Sequence, residues 1–293
     1  MMEWVLLLVL VPAIVIPVVL LFGFAGCDLI FTLDDAGTAP INLTAQAESR
    51  SAIKLAWEYT GMDPVRFEVQ RKRSVDATFE VVTPPQLLVT EFTDTGLDEG
   101  TSYDFQLASV QLSGGLRSAP VPATAATLGK AFETTLPQEA PGANRCVVQR
   151  IEPARLSQSG TRVQITLQRP AGGPLLINRL SISHAAAAGD PYDSDGAPTM
   201  VVDIGAPLFI AADPTKGLLE LPVVDFALDQ TRPLLVAFDT GLQGQLPLLT
   251  GVSLSEATTF ASPPGLQQAA VADRQAGYTP VGGITLVQRI DAG

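Results

Sequence analysis

The distribution of apolar residues divides this chain into one long uninterrupted segment and a series of short alternating runs. Residues 4–27 form a stretch of 24 residues without a charge. A helix of this length, at about 1.5 Å per residue, reaches roughly 36 Å and can cross a bilayer core of about 30 Å. Pro12 and Pro17 interrupt the stretch, and prolines at such depth kink a helix without destroying it. The pattern predicts a hydrophobic anchor helix over residues 1–27.

After a short linker at 28–38, apolar and polar residues alternate. Three such runs are Ile53–Trp57, Arg66–Gln70 and Tyr103–Leu107. A period of two with one apolar face is typical of half-buried antiparallel strands. Gly, Pro and Asp residues separate the runs, and the pattern therefore predicts an all-β fold after the anchor.

The segment from 39 to 128 also carries a set of recognisable motifs. They are Pro40-Ile-Asn-Leu-Thr-Ala45, Trp57, the Phe-Glu-Val-Gln-Arg run at 67–71, and Phe92–Leu97 followed by Gly100-Thr-Ser-Tyr103. This combination resembles a fibronectin type III domain, in which a Trp is buried in the second strand and a tyrosine corner falls at Tyr103. The resemblance implies a seven-strand sandwich that acts as a spacer or a protein-binding module, although a fold does not fix a function.

A second linker is expected at 129–145, and strand-like runs recur over 146–293. They include Val163–Leu167, Leu176–His184 and Leu234–Phe238. About eight strands with long Gly, Pro and Ala loops predict a jelly-roll-like β-sandwich domain. The runs in this half also resemble the β-sandwich modules of phage-tail and bacterial-surface proteins.

The end of the apolar segment leaves two alternatives open. Phe24-Ala-Gly-Cys27 resembles a bacterial lipobox, in which the Cys is acylated and becomes the new N-terminus. Phe24 replaces the usual Leu, and no Lys or Arg precedes the segment. The alternative is an intact helix that lies in a membrane or in the core of an oligomer. Cys27 is therefore a candidate lipidation site.

Charge and cysteine content exclude several classes of function. The net charge is −12 and the sequence pI is about 4.5, which argues against binding to nucleic acid or to anionic lipid head groups. The two cysteines, Cys27 and Cys146, lie far apart in the sequence, and His184 is the only histidine. These numbers predict neither a disulfide framework nor a Cys/His zinc site.

Few residues are candidates for a ligand site. Asp190, Asp193 and Asp195 could supply hard oxygen ligands to calcium, although their spacing departs from the EF-hand pattern and a solvated acidic turn is the alternative. Tyr192 and Tyr278 are the only tyrosines after residue 129, so they are the candidates for stacking on a glycan. Nucleophile-elbow and phosphate-loop motifs are absent from the sequence, and no enzyme is predicted.

These features predict a non-enzymatic structural or adhesive display protein. Residues 4–27 would anchor it to a membrane or to a phage-tail-like or extracellular assembly, outside the cytoplasm at a cell or particle surface. Its β-sandwich modules would contact other proteins or copies of itself. The alternative is a surface lipoprotein whose C-terminal β-sandwich binds carbohydrate. No cofactor other than calcium is expected.

Overall fold

The computed structural model describes residues 37–142, 144–242 and 244–293. The predicted helix at 1–27 and most of the linker at 28–38 lie outside these ranges. The described residues form strands and loops, with one short 3₁₀ helix at Pro153–Arg155, so the predicted all-β class is confirmed. Among the residues that the structure describes, no helix has the length and apolar character needed to cross a membrane.

The first sandwich contains seven strands in two sheets. They are β1 (Ile41–Ala47), β2 (Ala52–Glu58), β3 (Val65–Arg73), β4 (Glu80–Val81), β5 (Glu91–Thr95), β6 (Ser102–Gln111) and β7 (Val121–Ala126). One sheet has the order β1-β2-β5, and the other has the order β4-β3-β6-β7. The apolar positions predicted from alternation in β2, β3 and β6 point between the two sheets and form the core.

The second sandwich follows directly. Its strands are β8 (Gly129–Glu133), β9 (Gln138–Pro141), β10 (Cys146–Ile151), β11 (Gly160–Gln168), β12 (Leu175–His184), β13 (Thr199–Val202), β14 (Leu208–Ile210), β15 (Leu218–Glu220), β16 (Val224–Leu228), β17 (Leu234–Thr240), β18 (Gln245–Leu249), β19 (Ala257–Ala261), β20 (Thr279–Pro280), β21 (Ile284–Thr285) and β22 (Val287–Ala292).

Two main sheets face each other in this half. The large sheet has the order β13-β12-β17-β10-β19-β20, with β14 also on β12. The facing sheet has the order β15-β11-β22-β8, with β16 also on β11, and a short sheet β21-β18-β9 lies at one end. Apolar side chains from both main sheets form the principal core between them.

The expected linker at 129–145 contributes two strands to the second sandwich. β8 pairs with β22, and β9 pairs with β18, so each has a partner strand more than 100 residues later in the chain. Phe132 and Leu136 are buried in the principal core. This segment is therefore part of the second sandwich, because its apolar side chains fill the space at the end of β22.

The large sheet is covered on both of its faces. One face packs on the facing sheet, and the other packs on the loops at 185–198 and 262–278. Cys146, Val148, Leu235 and Ala237 point toward those loops and form a second, smaller core. The residues that were candidates for ligand binding lie in these covering loops.

Candidate functional site

The candidate lipidation site at Cys27 lies outside the described residues, as does the apolar segment at 4–27. Lipidation and anchoring therefore stay predictions.

Two of the candidate calcium ligands are occupied by donors from the protein itself. Asp193 Oδ2 accepts a hydrogen bond from the backbone N–H of Asp190 at 3.0 Å, and its Oδ1 accepts one from the backbone N–H of Arg274 at 2.9 Å. Asp190 Oδ2 accepts a hydrogen bond from the hydroxyl of Tyr192 at 2.8 Å. These bonds close the loop onto the segment around Arg274, which is a structural role.

Asp195 forms a different contact. Its Oδ2 lies 2.6 Å from Nη2 of Arg232, a charge-assisted pair at the surface. In residues 37–293, apart from 143 and 243, no group of three or more His, Cys, Asp and Glu side chains is arranged to hold a metal ion. Calcium binding by this loop stays a prediction, and the described geometry does not bring the three carboxylates to one point.

The two tyrosines that were expected to contact a glycan lie inside the protein. Tyr192 and Tyr278 are 5% and 8% exposed, and their rings stack with centroids 4.5 Å apart. Tyr192 also meets Phe260 edge-on at 5.5 Å. Burial raises the pKa of both hydroxyl groups. Rings packed on each other cannot stack on a sugar, so the expectation of an exposed aromatic platform here is wrong.

A polar cluster is enclosed next to this tyrosine pair. Arg274 is buried, and its Nη1 donates to the backbone carbonyl of Tyr192 and to Ser194 Oγ, the latter at 3.1 Å. Asp239 Oδ1 accepts a hydrogen bond from a loop backbone N–H at 3.0 Å. Burial raises the pKa of the Cys146 thiol to about 12, so this sulfur is protonated and a poor nucleophile at neutral pH. The cluster holds the covering loops on the large sheet.

His184 also has a structural environment. Its ring nitrogens lie within hydrogen-bonding distance of main-chain groups of Ala227, Asp229 and Pro233, at 3.1 to 3.3 Å. The ring packs against Phe226 with centroids 5.2 Å apart. This is the arrangement of a packed histidine.

The basic run at 71–73 on β3 is matched by acidic neighbours. Arg71 pairs with Asp94 at 3.0 Å. Lys72 pairs with Asp104 at 3.0 Å, and Arg73 pairs with Asp98. Arg71 also contacts Glu80. These three side chains therefore do not form a free positive face.

The two sandwiches meet at a charged surface that no motif in the sequence predicted. The β1–β2 turn and the β5–β6 loop lie against the outer face of the sheet that contains β11 and β22. Arg50 from the turn pairs with Glu220, and its Nε lies 3.7 Å from Asp291 Oδ2. Arg289 on β22 pairs with Glu99 from the loop. Three ion pairs therefore cross between the sandwiches.

Main-chain hydrogen bonds hold the segment that leaves the first sandwich beside this contact. Gly100 N–H donates to the carbonyl of Leu128 at 3.2 Å, and Leu128 N–H donates to the carbonyl of Ser49 at 3.1 Å. Arg162 on β11 donates through Nη1 to the carbonyl of Ala47. The segment between β7 and β8 is therefore bonded to the first sandwich, and the Arg162 hydrogen bond crosses to it from the second.

A hydrogen bond near the start of β6 holds the loop that precedes this strand in the first sandwich. Tyr103 Oη accepts the backbone N–H of Asp98 at 2.9 Å, which is the geometry of a tyrosine corner. Trp57 on β2 is buried and meets Phe67 edge-on at 5.2 Å. These features lie in a sandwich with three strands facing four, in the order β1-β2-β5 and β4-β3-β6-β7.

The first sandwich has the fibronectin type III fold. The resemblance seen in the sequence is confirmed, with the core Trp at Trp57 and the tyrosine corner at Tyr103.

No family model matches the chain, and no curated protein matches it either. Among solved structures, the chain is similar to a Fn3-like protein from Clostridium thermocellum, with 22% identity, coverage of 34% of this chain and 99% of that one, and a TM-score of 0.27. It is also similar to the two-domain fibronectin type III segment of chicken tenascin, with 10% identity, coverage of 86% and 99%, and a TM-score of 0.28. These scores are low, so the fold is assigned from the strand order and the buried residues given above.

The type III module carries its two connections at opposite ends. Gly37, where the described chain begins, lies beside the main chain of Leu116 and Ser118, and the carbonyl of Thr38 accepts a hydrogen bond from Ser109 Oγ at 2.6 Å. Leu128 lies at the other end, beside the start of β6. A ten-residue strand such as β6 spans roughly 30 Å, so the two connections are separated by about that length.

Proposed function

We propose that this chain is a non-enzymatic structural protein that displays two β-sandwich modules from an anchor at residues 4–27. The placement of the connections of the type III module carries this proposal. The chain enters the module at one end, and the second sandwich is held at the other end by ion pairs. Modules of this fold typically mediate contacts between proteins. The type III module here would act as a spacer, and the second sandwich would make the contacts.

The sequence supports a location outside the cytoplasm, at the surface of a cell or of an extracellular particle. The uncharged segment at 4–27 suits burial in a bilayer or in the apolar core of an assembly. The acidic composition, with a net charge of −12, keeps the displayed modules soluble and apart from anionic lipid. Partners would be other proteins or further copies of this chain.

A flotation experiment with the full chain and neutral lipid vesicles tests the anchor. Val15 lies in the middle of the apolar segment, and an arginine at the centre of a membrane helix costs about 2.5–3.5 kcal/mol. We expect the wild type and Val15→Leu to float with the vesicles, and Val15→Arg to stay largely in the soluble fraction. Equal flotation of Val15→Arg would contradict membrane anchoring by this segment.

The intact mass of the native protein separates the two forms of anchor. A chain that begins at an acylated Cys27 would show a lipid anchor. A chain that retains residues 4–26 would show that the apolar segment itself is the working part. If that chain sediments as a particle without lipid, the segment is the core of an assembly.

The carbohydrate-binding alternative has no support from the described structure. Tyr192 and Tyr278 were the residues on which it depended, and both are buried. Display through protein contacts is therefore the function that we propose.

A further inference from the structure

Asp291 is the most enclosed charged group in the contact between the two sandwiches. Its side chain is 0% exposed. Its Oδ1 accepts a hydrogen bond from Arg289 Nε at 2.6 Å. Its Oδ2 accepts no hydrogen bond from the described residues and lies 3.7 Å from Arg50 Nε. One oxygen of this carboxylate is therefore buried with only a longer-range charge contact to compensate for the water that it has lost.

Charged groups surround Asp291 on several elements. They are Arg50 from the β1–β2 turn, Glu99 from the β5–β6 loop, Lys130 and Glu133 from β8, Glu220 from β15, and Arg289 from β22. The neighbour on β11 is the uncharged Gln164. Each of the three cations also pairs with a glutamate, so none of them serves Asp291 alone.

The burial of Asp291 and the charges near it make the contact between the sandwiches depend on pH. Burial raises the pKa of Asp291, and the nearby Arg289 and Arg50 offset this only in part. When the sandwiches separate, water reaches the carboxylate and its pKa returns toward the ordinary value of an aspartate. The closed contact therefore binds the proton more tightly than the open one. By linkage, the closed contact is favoured below the ordinary aspartate pKa, and this advantage is lost as the pH rises through the raised pKa.

We propose that Asp291 is a proton-sensitive latch between the two sandwiches, in which an uncharged Asp291 favours the closed contact and a charged Asp291 loosens it. This direction is opposite to that of a simple salt bridge, in which the charged carboxylate would hold the contact closed. The desolvation of a buried ion pair can exceed its Coulombic gain, and here one oxygen lacks a hydrogen bond. The contact is therefore tighter in mildly acidic solution than in neutral solution.

Hydrogen–deuterium exchange of the full chain tests the latch. The amides of Gly100 and Leu128 form hydrogen bonds in the segment that leads into the second sandwich, and Gly100 lies against Gly129 of β8, so their protection reports the opening of the contact. After correction for intrinsic exchange rates, we expect wild-type protection to be lower at pH 7.5 than at pH 5, by up to about 10-fold for each unit by which burial raises the pKa of Asp291. Asp291→Asn keeps a neutral side chain of the same shape and should retain the higher protection at both pH values.

Two results with Asp291→Asn would overturn the proposal. If Asp291→Asn lowers protection at pH 7.5, the ion pairs hold the contact closed and the proposal is overturned. A variant that keeps the pH dependence of the wild type also overturns it. Glu220→Gln is the matched control, because it removes the exposed partner of Arg50 and leaves Asp291 in place. It should lower protection at both pH values and retain the pH dependence.

A second variant covers the case in which Asp291→Asn does not fold. Arg50→Gln removes the cation nearest to Asp291 Oδ2. The carboxylate then holds its proton more tightly in the closed contact, so the change in protection should move to higher pH. An unchanged midpoint would show that Asp291 does not control the contact.

Discussion

The hydroxyl group of Tyr103 fixes the loop before β6 through one hydrogen bond. Replacing Tyr103 with Phe keeps the buried ring and leaves the backbone N–H of Asp98 without its acceptor. We expect Tyr103→Phe to lower the free energy of unfolding by about 1–2 kcal/mol, measured by urea denaturation.

Tyr59→Phe provides the control for that measurement. Tyr59 packs its ring edge-on against Phe67, and its hydroxyl makes no hydrogen bond within the described part of the chain. This substitution should change stability by less than about 0.5 kcal/mol. Equal effects of the two variants would show that the hydrogen bond of the corner contributes nothing.

Single residues also show where sequence reasoning fails. The roles of Tyr103 and Trp57 were predicted because the motifs that contain them resemble a fibronectin type III domain. Tyr192 and Tyr278 were candidates for stacking on a glycan because they are the only tyrosines after residue 129. Their burial depends on loops that fold over a sheet already covered on its other face, and no local pattern in the sequence shows this.

At the scale of elements, β8 provides the clearest test of the revised boundary. Phe132 is buried in the principal core of the second sandwich. We expect Phe132→Ala to destabilise that sandwich by about 3–5 kcal/mol in denaturant unfolding, as for other large core residues. The exposed neighbour Lys130 pairs only at the surface, and Lys130→Ala should cost less than about 1 kcal/mol. If Phe132→Ala were as mild as Lys130→Ala, residues 129–133 would behave as a free linker.

Alternation predicted the strands that have one buried face, such as β2 and β6. It failed for β8 and β9, which are short and whose partners lie more than 100 residues away. Strict alternation also breaks inside β12. A register shift between Ile177 and Arg179 moves Leu180 to the core side, together with Ile177.

The outer face of β11 carries a signal that it is covered, and Gln164 and Gln168 hydrogen-bond there to Leu221 and Leu136. Gln164, Thr166 and Gln168 occupy the positions that alternate with the core residues, and all three are buried. Solvent-facing positions of a strand usually carry charged side chains as well as polar ones. An uncharged polar stripe indicates that another part of the protein covers that face.

At the scale of the whole molecule, the contact should couple the unfolding of the two sandwiches. Residues 37–293 form one unit, and Arg50 and Arg162 both reach across the contact. We expect calorimetry at pH 5 to show one transition for the wild type and two for the double variant Arg50→Ala/Arg162→Ala. A loss of 1 kcal/mol lowers the Tm of a small domain by about 4–8 °C, so the separation is measurable.

Arg66→Ala is the control for the calorimetry. Arg66 is similarly exposed and pairs with Glu68 inside the first sandwich. Its loss should leave a single transition. Two transitions in the wild type would show that the ion pairs do not couple the sandwiches.

The opposite placement of Gly37 and Leu128 determines how the type III module would carry tension. A pull between Gly37 and the second sandwich would act along the strands, because the connections lie at the two ends of the module. The hydrogen bonds between antiparallel strands run perpendicular to that direction, so those between β1 and β2 are sheared together. If both connections lay at one end, the same bonds would be peeled apart one after another. The geometry therefore makes the type III module resistant to stretching along its strands, which is the direction in which the proposed display function would load it.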